Sequence, residues 1–210
     1  MSVRIKVCGL RRREDVEACV DLGVDMLGFN CWSGSPRYVS AETLNDVLPA
    51  NAEGAEVVLV FVRAEPDLVK HVVGSMHARA ARVWVQLHGD EDPARYADVG
   101  ASLIQVARLD ANHPDLPSIT APRLLLDVRT ITFGGTGTRI DERLVERLRP
   151  SLPTEWMLAG GLNASNVKDA TVRMQPWGVD VASGVETAPG VKDLEKLKAF
   201  VAAVRDAQPN

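Results

Sequence analysis

Disulfide chemistry has little to work with here. The 210 residues hold three cysteines, Cys8, Cys19 and Cys31, an odd number with no CxxC pair, which argues against a disulfide framework and suits a reducing compartment. Long apolar runs are missing too: nothing approaches the about eighteen consecutive apolar residues of a membrane-spanning helix. The opening stretch MSVRIKVCGL has too short an apolar run for a signal peptide, so the cytoplasm is the expected location. The histidines, His71, His77, His88 and His113, show neither HxxxH nor cysteine-adjacent spacing, and no metal is expected. Basic excess is absent, since the net charge is −4 and spread along the chain, which speaks against a nucleic-acid binder. No Gly/Ser tether, low-complexity tract or long repeat interrupts the sequence, so one domain over 1–210 is expected.

What the sequence does contain is alternation. Apolar residues make up 46% and charged ones 25%, an ordinary soluble balance. Short Val/Ile/Leu-rich runs predict strands at 4–8, 25–30, 56–62, 83–88, 102–107, 123–127, 156–160 and 179–183, while stretches of helical period predict helices at 13–23, 40–50, 66–80, 164–174 and 193–207. The segment 108–122, with three prolines, leaves room for little more than a turn. Eight βα units imply a parallel sheet, and eight strands close into an α/β (β/α)8 barrel more readily than they form an open doubly wound sheet.

Strand parity then sorts the side chains, because alternate residues face opposite sides. In RIKVC, Ile5 and Val7 face the helices, so Lys6 and Cys8 point into the barrel. The same counting turns Gln86, His88, Gln105, Asp127 and Asp180 inward. Polar groups at the C-terminal ends of several strands converge on one mouth, where barrels of this kind carry their chemistry. Lys6 and Asp180 sit on strands that become neighbours on closure, and a structural ion pair beneath the mouth is expected.

Two consecutive strand ends have the makings of an anion cradle. WMLAGGLNASNV brings Gly160 and Gly161 to a helix start, and VDVASGVE ends on Ser183 and Gly184. Glycines permit close backbone approach and helix starts offer amides, and barrels commonly hold phosphate after strands seven and eight. GGTGTR at 134–139 has a glycine density that suits a mobile flap over the mouth and equally a plain flexible loop. In SGSPRYVS, Pro36 stiffens the backbone next to Arg37, whose guanidinium can pair with a carboxylate. The Arg11–Arg12–Arg13 run leads straight into Glu14 and Asp15 and reads mainly as a solvated helix start.

Taken in order, KVCGL, SPRYVS, VQLHGDE, LLLD, GGTG, LAGGLNASNV and GVDVASGVETAPGVKD closely resemble the phosphoribosylanthranilate isomerases of tryptophan biosynthesis, over nearly the whole chain. The resemblance implies a single (β/α)8 barrel that converts N-(5′-phosphoribosyl)anthranilate to its 1-deoxyribulose isomer by an Amadori rearrangement, with no cofactor. It implies Cys8 as general base, Asp127 as general acid and Arg37 as the binder of the anthranilate carboxylate, with the amides around Gly160, Gly161, Ser183 and Gly184 on the phosphate. The implied partner is a small phosphoribosyl molecule, with no nucleic acid or membrane, and monomer and homodimer both stay open. A nearby cation such as Lys6 is expected to help form the Cys8 thiolate, because a free thiol with a pKa of about 8.5 is mostly protonated at neutral pH. The chain departs from the family pattern at Leu10-Arg11, where CGIT is common, and at Thr138-Arg139-Ile140, where GGTGKTF is common.

Two other readings compete. A sugar-phosphate epimerase or indole-glycerol-phosphate synthase would need paired aspartates with a metal, or several inward lysines, and only Lys6 is an inward lysine. A non-catalytic phosphosugar-binding barrel would keep the anion site without needing both Cys8 and Asp127.

Overall fold

In the computed structural model, residues 2–49, 52, 54–77, 79–80, 82–109, 115–128 and 142–207 are described. Eight strands form where β-branched and leucine residues cluster: β1 (Arg4–Cys8), β2 (Met26–Asn30), β3 (Glu56–Phe61), β4 (Val83–Leu87), β5 (Ser102–Leu109), β6 (Arg123–Val128), β7 (Trp156–Ala159) and β8 (Gly178–Val181). Each pairs in parallel with the next, and β8 returns to β1, closing the barrel. The fold class expected from the alternation is the one observed. Connecting helices are α1 (Arg13–Asp21), α2 (Ala41–Val47), α3 (Pro66–Met76), α4 (Glu142–Leu148), α5 (Val167–Met174) and α6 (Leu194–Arg205).

Local chemistry sets where these helices stop and start. The Ser40 hydroxyl accepts from the amide of Thr43 to open α2, and Asp193 accepts from the amides of Glu195 and Lys196 to open α6, satisfying donors that have no partner inside the helix. Helix α2 ends three residues short of the expected position 50, because Leu48 is already extended ahead of Pro49, as a residue before proline prefers. Strand β8 ends at Val181 rather than 183, since Ser183–Val185 coil into one tight helical turn.

Two apolar layers result. Ile5, Val7, Leu27, Leu59, Val85, Leu126, Leu158 and Val179 pack outward against the helices, while Met26, Val58, Trp84, Ile104, Val106, Leu125, Met157 and Ala159 fill the barrel interior. One parity assignment fails. Gln105 does not point inward: Ile104 and Val106 take the interior, and the Gln105 amide grips the segment outside the barrel, donating to Ser118 O at 2.8 Å and accepting from Thr120 N at 3.1 Å. No helix occupies residues 115–122, so a glutamine that pins the loop's backbone stands where an aliphatic residue would otherwise meet a helix.

The N-terminal floor is closed by paired charge. The Arg123 guanidinium lies 3.7 Å from the Trp84 ring centre and 4.4 Å from that of Trp177. It also bonds the Glu155 carboxylate at 2.6 Å and that of Glu56, which Arg82 shares at 3.0 Å. Cation–π contact and full pairing make a buried arginine tolerable there.

Candidate active site

At the opposite end, the last residues of the strands surround a cavity of about 240 Å³. Six of the seven residues expected at the site line it: Cys8, Arg37, Asp127, Gly160, Gly161 and Ser183. Gly184 stands just behind. A Cβ there would sit 1.9 Å from Leu162 O, so this glycine is what allows the loop after β8 to rest on the loop after β7. The GGTGTR stretch lies outside the described residues.

Cys8 ends β1 opposite Gly28 of β2. A Cβ on residue 28 would come within 2.9 Å of Cys8 Cα and 3.1 Å of its sulfur, so a bare strand position makes room for the thiol. The chain then turns through Gly9 at φ 78°, where a side chain would also collide with the Arg37 stem, 2.4 Å away. A glycine after the cysteine therefore serves two purposes, a left-handed turn and a crossing point for arginine.

Beneath the thiol, Lys6 Nζ bonds both oxygens of Asp180 at 3.0 Å, the ion pair expected from parity. Lys6 is fully buried. Burial pulls its pKa down, but Asp180 and Cys8 outweigh that and hold it above the ordinary lysine value. Breaking such a pair by removing one partner costs about 3–5 kcal/mol. The thiol itself behaves otherwise than expected: burial pushes the Cys8 pKa up, and the pull of Lys6 and Lys192 in the other direction does not cancel it. Lys6 thus moderates the shift without reversing it.

Arg37 is half-buried and paired. Its Nε and Nη2 bond the Glu186 carboxylate at 2.9 and 2.6 Å. Glu186 also accepts from Lys192 Nζ at 2.8 Å and from the Gly190 amide at 3.2 Å. Burial alone would raise the Glu186 pKa, but its hydrogen bonds with Arg37 and Lys192 win and hold it below the usual carboxylate range. Two cations share one carboxylate, which leaves the cluster with excess positive charge beside the cavity. Lys192 reaches further, donating to Cys8 O at 2.7 Å and Ala182 O at 3.2 Å.

Sequence reasoning did not pick out Glu186 and Lys192 as members of the site. They lie on a short antiparallel ribbon, β9 (Glu186–Ala188) and β10 (Val191–Lys192), and a signal was present: a Pro-Gly turn flanked by opposite charges.

The wall opposite carries Asp127 on β6 and His88 after β4, with Nε2 to Oδ2 at 3.8 Å. Gln86 Nε2 lies 3.1 Å from His88 Nδ1. On the loop after β7, Gly160 and Gly161 take positive φ. Asn166 braces that turn, donating to Gly161 O at 3.0 Å and accepting from the Asn163 amide at 2.8 Å. Of the arginine run, Arg13 pairs with Glu17 at 2.8 Å as a solvated helix start should, whereas Arg12 departs from that expectation: it pairs at 2.6 Å with the buried Asp15, whose carboxylate also accepts from the Lys192 amide at 3.2 Å. Arg11 instead donates to Pro36 O at 2.9 Å and steadies the loop that carries Arg37. Among the described residues, no group of three or more His, Cys, Asp or Glu side chains is placed to hold a metal ion, and no helix is long and apolar enough to cross a membrane.

Fold and site together define the class: a (β/α)8-barrel enzyme with its working groups at the C-terminal ends of the strands. The family model for N-(5′-phosphoribosyl)anthranilate (PRA) isomerase matches residues 5–203, and the chain belongs to that family. The N-(5′-phosphoribosyl)anthranilate isomerase of Myxococcus xanthus is 40% identical over 98% of this chain and 97% of its own. The phosphoribosyl anthranilate isomerase crystal structure from Thermus thermophilus is 30% identical, covers 98% of this chain and 100% of its own, and superposes with a TM-score of 0.82. Another crystal structure, of a phosphoribosyl anthranilate isomerase in complex with reduced 1-(o-carboxyphenylamino)-1-deoxyribulose 5-phosphate, is 28% identical, covers 97% of this chain and 99% of its own, and has a TM-score of 0.77.

Proposed function

We propose that this protein isomerises N-(5′-phosphoribosyl)anthranilate to 1-(2-carboxyphenylamino)-1-deoxyribulose 5-phosphate in tryptophan biosynthesis, with Cys8 as general base and Asp127 as general acid. The observation that carries the reading is that this thiol and this carboxyl group, 119 positions apart in sequence, line one cavity with the glycine-bearing loops after β7 and β8. In the first step Asp127 delivers a proton to the furanose oxygen, the ring C–O bond breaks, and the nitrogen lone pair forms the imine. The Cys8 thiolate then takes the C2′ proton, and the electrons of that C–H bond move into the sugar to give an enolamine. Tautomerisation protonates C1′ and leaves the ketone at C2′. Each proton transfer by a positioned group is worth about 10²–10⁴-fold in rate.

The remaining residues divide the ligand between them. Arg37, held by Glu186 in a cluster with surplus positive charge, suits the anthranilate carboxylate. The backbone at Gly160, Gly161, Ser183 and Gly184 suits the phosphate. The reading carries with it a cytoplasmic setting, a monomer or homodimer, and a small-molecule substrate as the required partner. The test is the loss of anthranilate fluorescence when the substrate is mixed with purified protein, repeated with Cys8→Ala and Asp127→Asn. Turnover by the wild type and its loss in both variants is expected. Tight binding of the phosphosugar without turnover would instead identify a binding barrel.

A further inference from the structure

We propose that Gln86 is a positioning residue that holds His88 as the neutral Nε2–H tautomer, with that N–H facing the carboxyl group of Asp127. This deepens the isomerase reading and rests on it for the role of Asp127. Gln86 projects from β4 into the barrel and is 1% exposed. Its amide nitrogen lies 3.1 Å from His88 Nδ1. An amide nitrogen only donates, so Nδ1 must accept and the ring proton resides on Nε2. Nε2 is the atom directed at Asp127, 3.8 Å from Oδ2, a separation that tightens in many enzymes once substrate is bound. The reverse amide orientation would protonate Nδ1 and leave Nε2 a bare acceptor, which would draw the Asp127 proton to itself and away from the substrate. From β5, Arg108 donates to the His88 carbonyl oxygen and fixes the backbone that carries the ring.

A glutamine kept only for packing would satisfy both ends of its amide, yet Gln86 Oε1 is buried with no hydrogen-bond partner among the described residues. An orphaned buried acceptor costs stability, so the benefit of this side chain lies in what its nitrogen does. The tautomer matters because a neutral N–H can orient the Asp127 carboxyl without a charge. An imidazolium in the same place would lower the carboxyl pKa and leave Asp127 ionised, with no proton to deliver.

The tautomer is read from the ¹⁵N chemical shifts of the His88 ring in ligand-free protein, assigned by their loss in His88→Asn. The spectra are taken near pH 8, above the ordinary histidine pKa of about 6.5. The wild type is expected to show a protonated Nε2 and a bare Nδ1. Gln86→Glu replaces the donor with an acceptor and is expected to move the proton to Nδ1 or to create the imidazolium. In that variant kcat should fall at least about tenfold, short of the about 10²–10⁴-fold that loss of the acid costs, with KM little changed. A wild-type spectrum showing Nδ1–H or imidazolium overturns the proposal, as does full kcat in a Gln86→Glu protein whose proton has moved. The wild-type spectrum requires no variant to fold. Absence of any turnover by wild-type protein would remove the isomerase reading instead, whatever the spectrum shows.

Discussion

Both ends of the barrel carry clustered charged side chains and use them oppositely. At the floor, Arg123, Arg82, Glu56 and Glu155 answer one another and Trp84 and Trp177 stack on the guanidinium, so the charge is spent internally. At the mouth, Lys6 is buried against Asp180 in the same way, but Asp180 itself, with Cys8, Asp127 and Arg37, borders the open cavity. A polar residue inside a barrel is therefore not a functional signal by itself. Its height along the strand decides.

The sharpest way to break this contrast is to compare the two ends on two scales, turnover and urea unfolding. Cys8→Ala and Asp127→Asn should each lower kcat by about 10²–10⁴-fold while leaving the urea midpoint almost in place. Arg123→Leu should do the opposite, since it removes charged hydrogen bonds to the partly exposed Glu56 and Glu155, each worth about 1.5–3 kcal/mol; activity per folded molecule should persist. A floor variant that loses turnover while keeping its stability would erase the distinction.

Smaller effects sharpen it within the mouth. Gly184→Ala drives a methyl group against Leu162 O, and overpacking of this kind costs about 1–3 kcal/mol. Because it parts the loops after β7 and β8, KM should rise more than kcat falls. Glu186→Gln should also raise KM, and it should alter acid sensitivity. The folded-state pKa of Glu186 is depressed, so its stabilisation is complete above the unfolded value of about 4.3 and is lost as pH falls through the lower folded value. The glutamine variant should show a shallower loss of stability across that window in pH-dependent urea titrations. Last, burial raises the Cys8 thiol, so kcat/KM should still be climbing at the ordinary thiol pKa of about 8.5. A plateau well below it would mean that bound substrate, or another group, sets the ionisation.

Much of this was legible because strand parity is a strict rule. It oriented Lys6, Cys8, Gln86, His88, Asp127 and Asp180 correctly from sequence, and the motifs identified the family. Gln105 escaped the rule through a long-range cause: residues 115–122 hold no helix, and only the folded chain shows that a backbone needs pinning there. Gly28 was invisible for a related reason, since its importance lies in the sulfur on the neighbouring strand. Glu186 and Lys192 were within the recognised closing motif, yet their roles depend on Arg37 and Cys8, which are distant along the chain. The direction of the thiol shift also lay beyond the sequence, because it is the balance of two opposing effects at one buried point.

Lys192 ties the carbonyl of Cys8 to the loop after β8, and its consequence is one of timing. During synthesis the sulfur of Cys8 emerges more than 170 residues before Asp180 and Lys192, which surround it. A chain halted before position 178 carries the thiol but lacks the last strand, the aspartate beneath it and the lysine that grips its backbone. Such a partial product is expected to be inert towards the phosphosugar until the segment that carries Asp180 and Lys192 has been made.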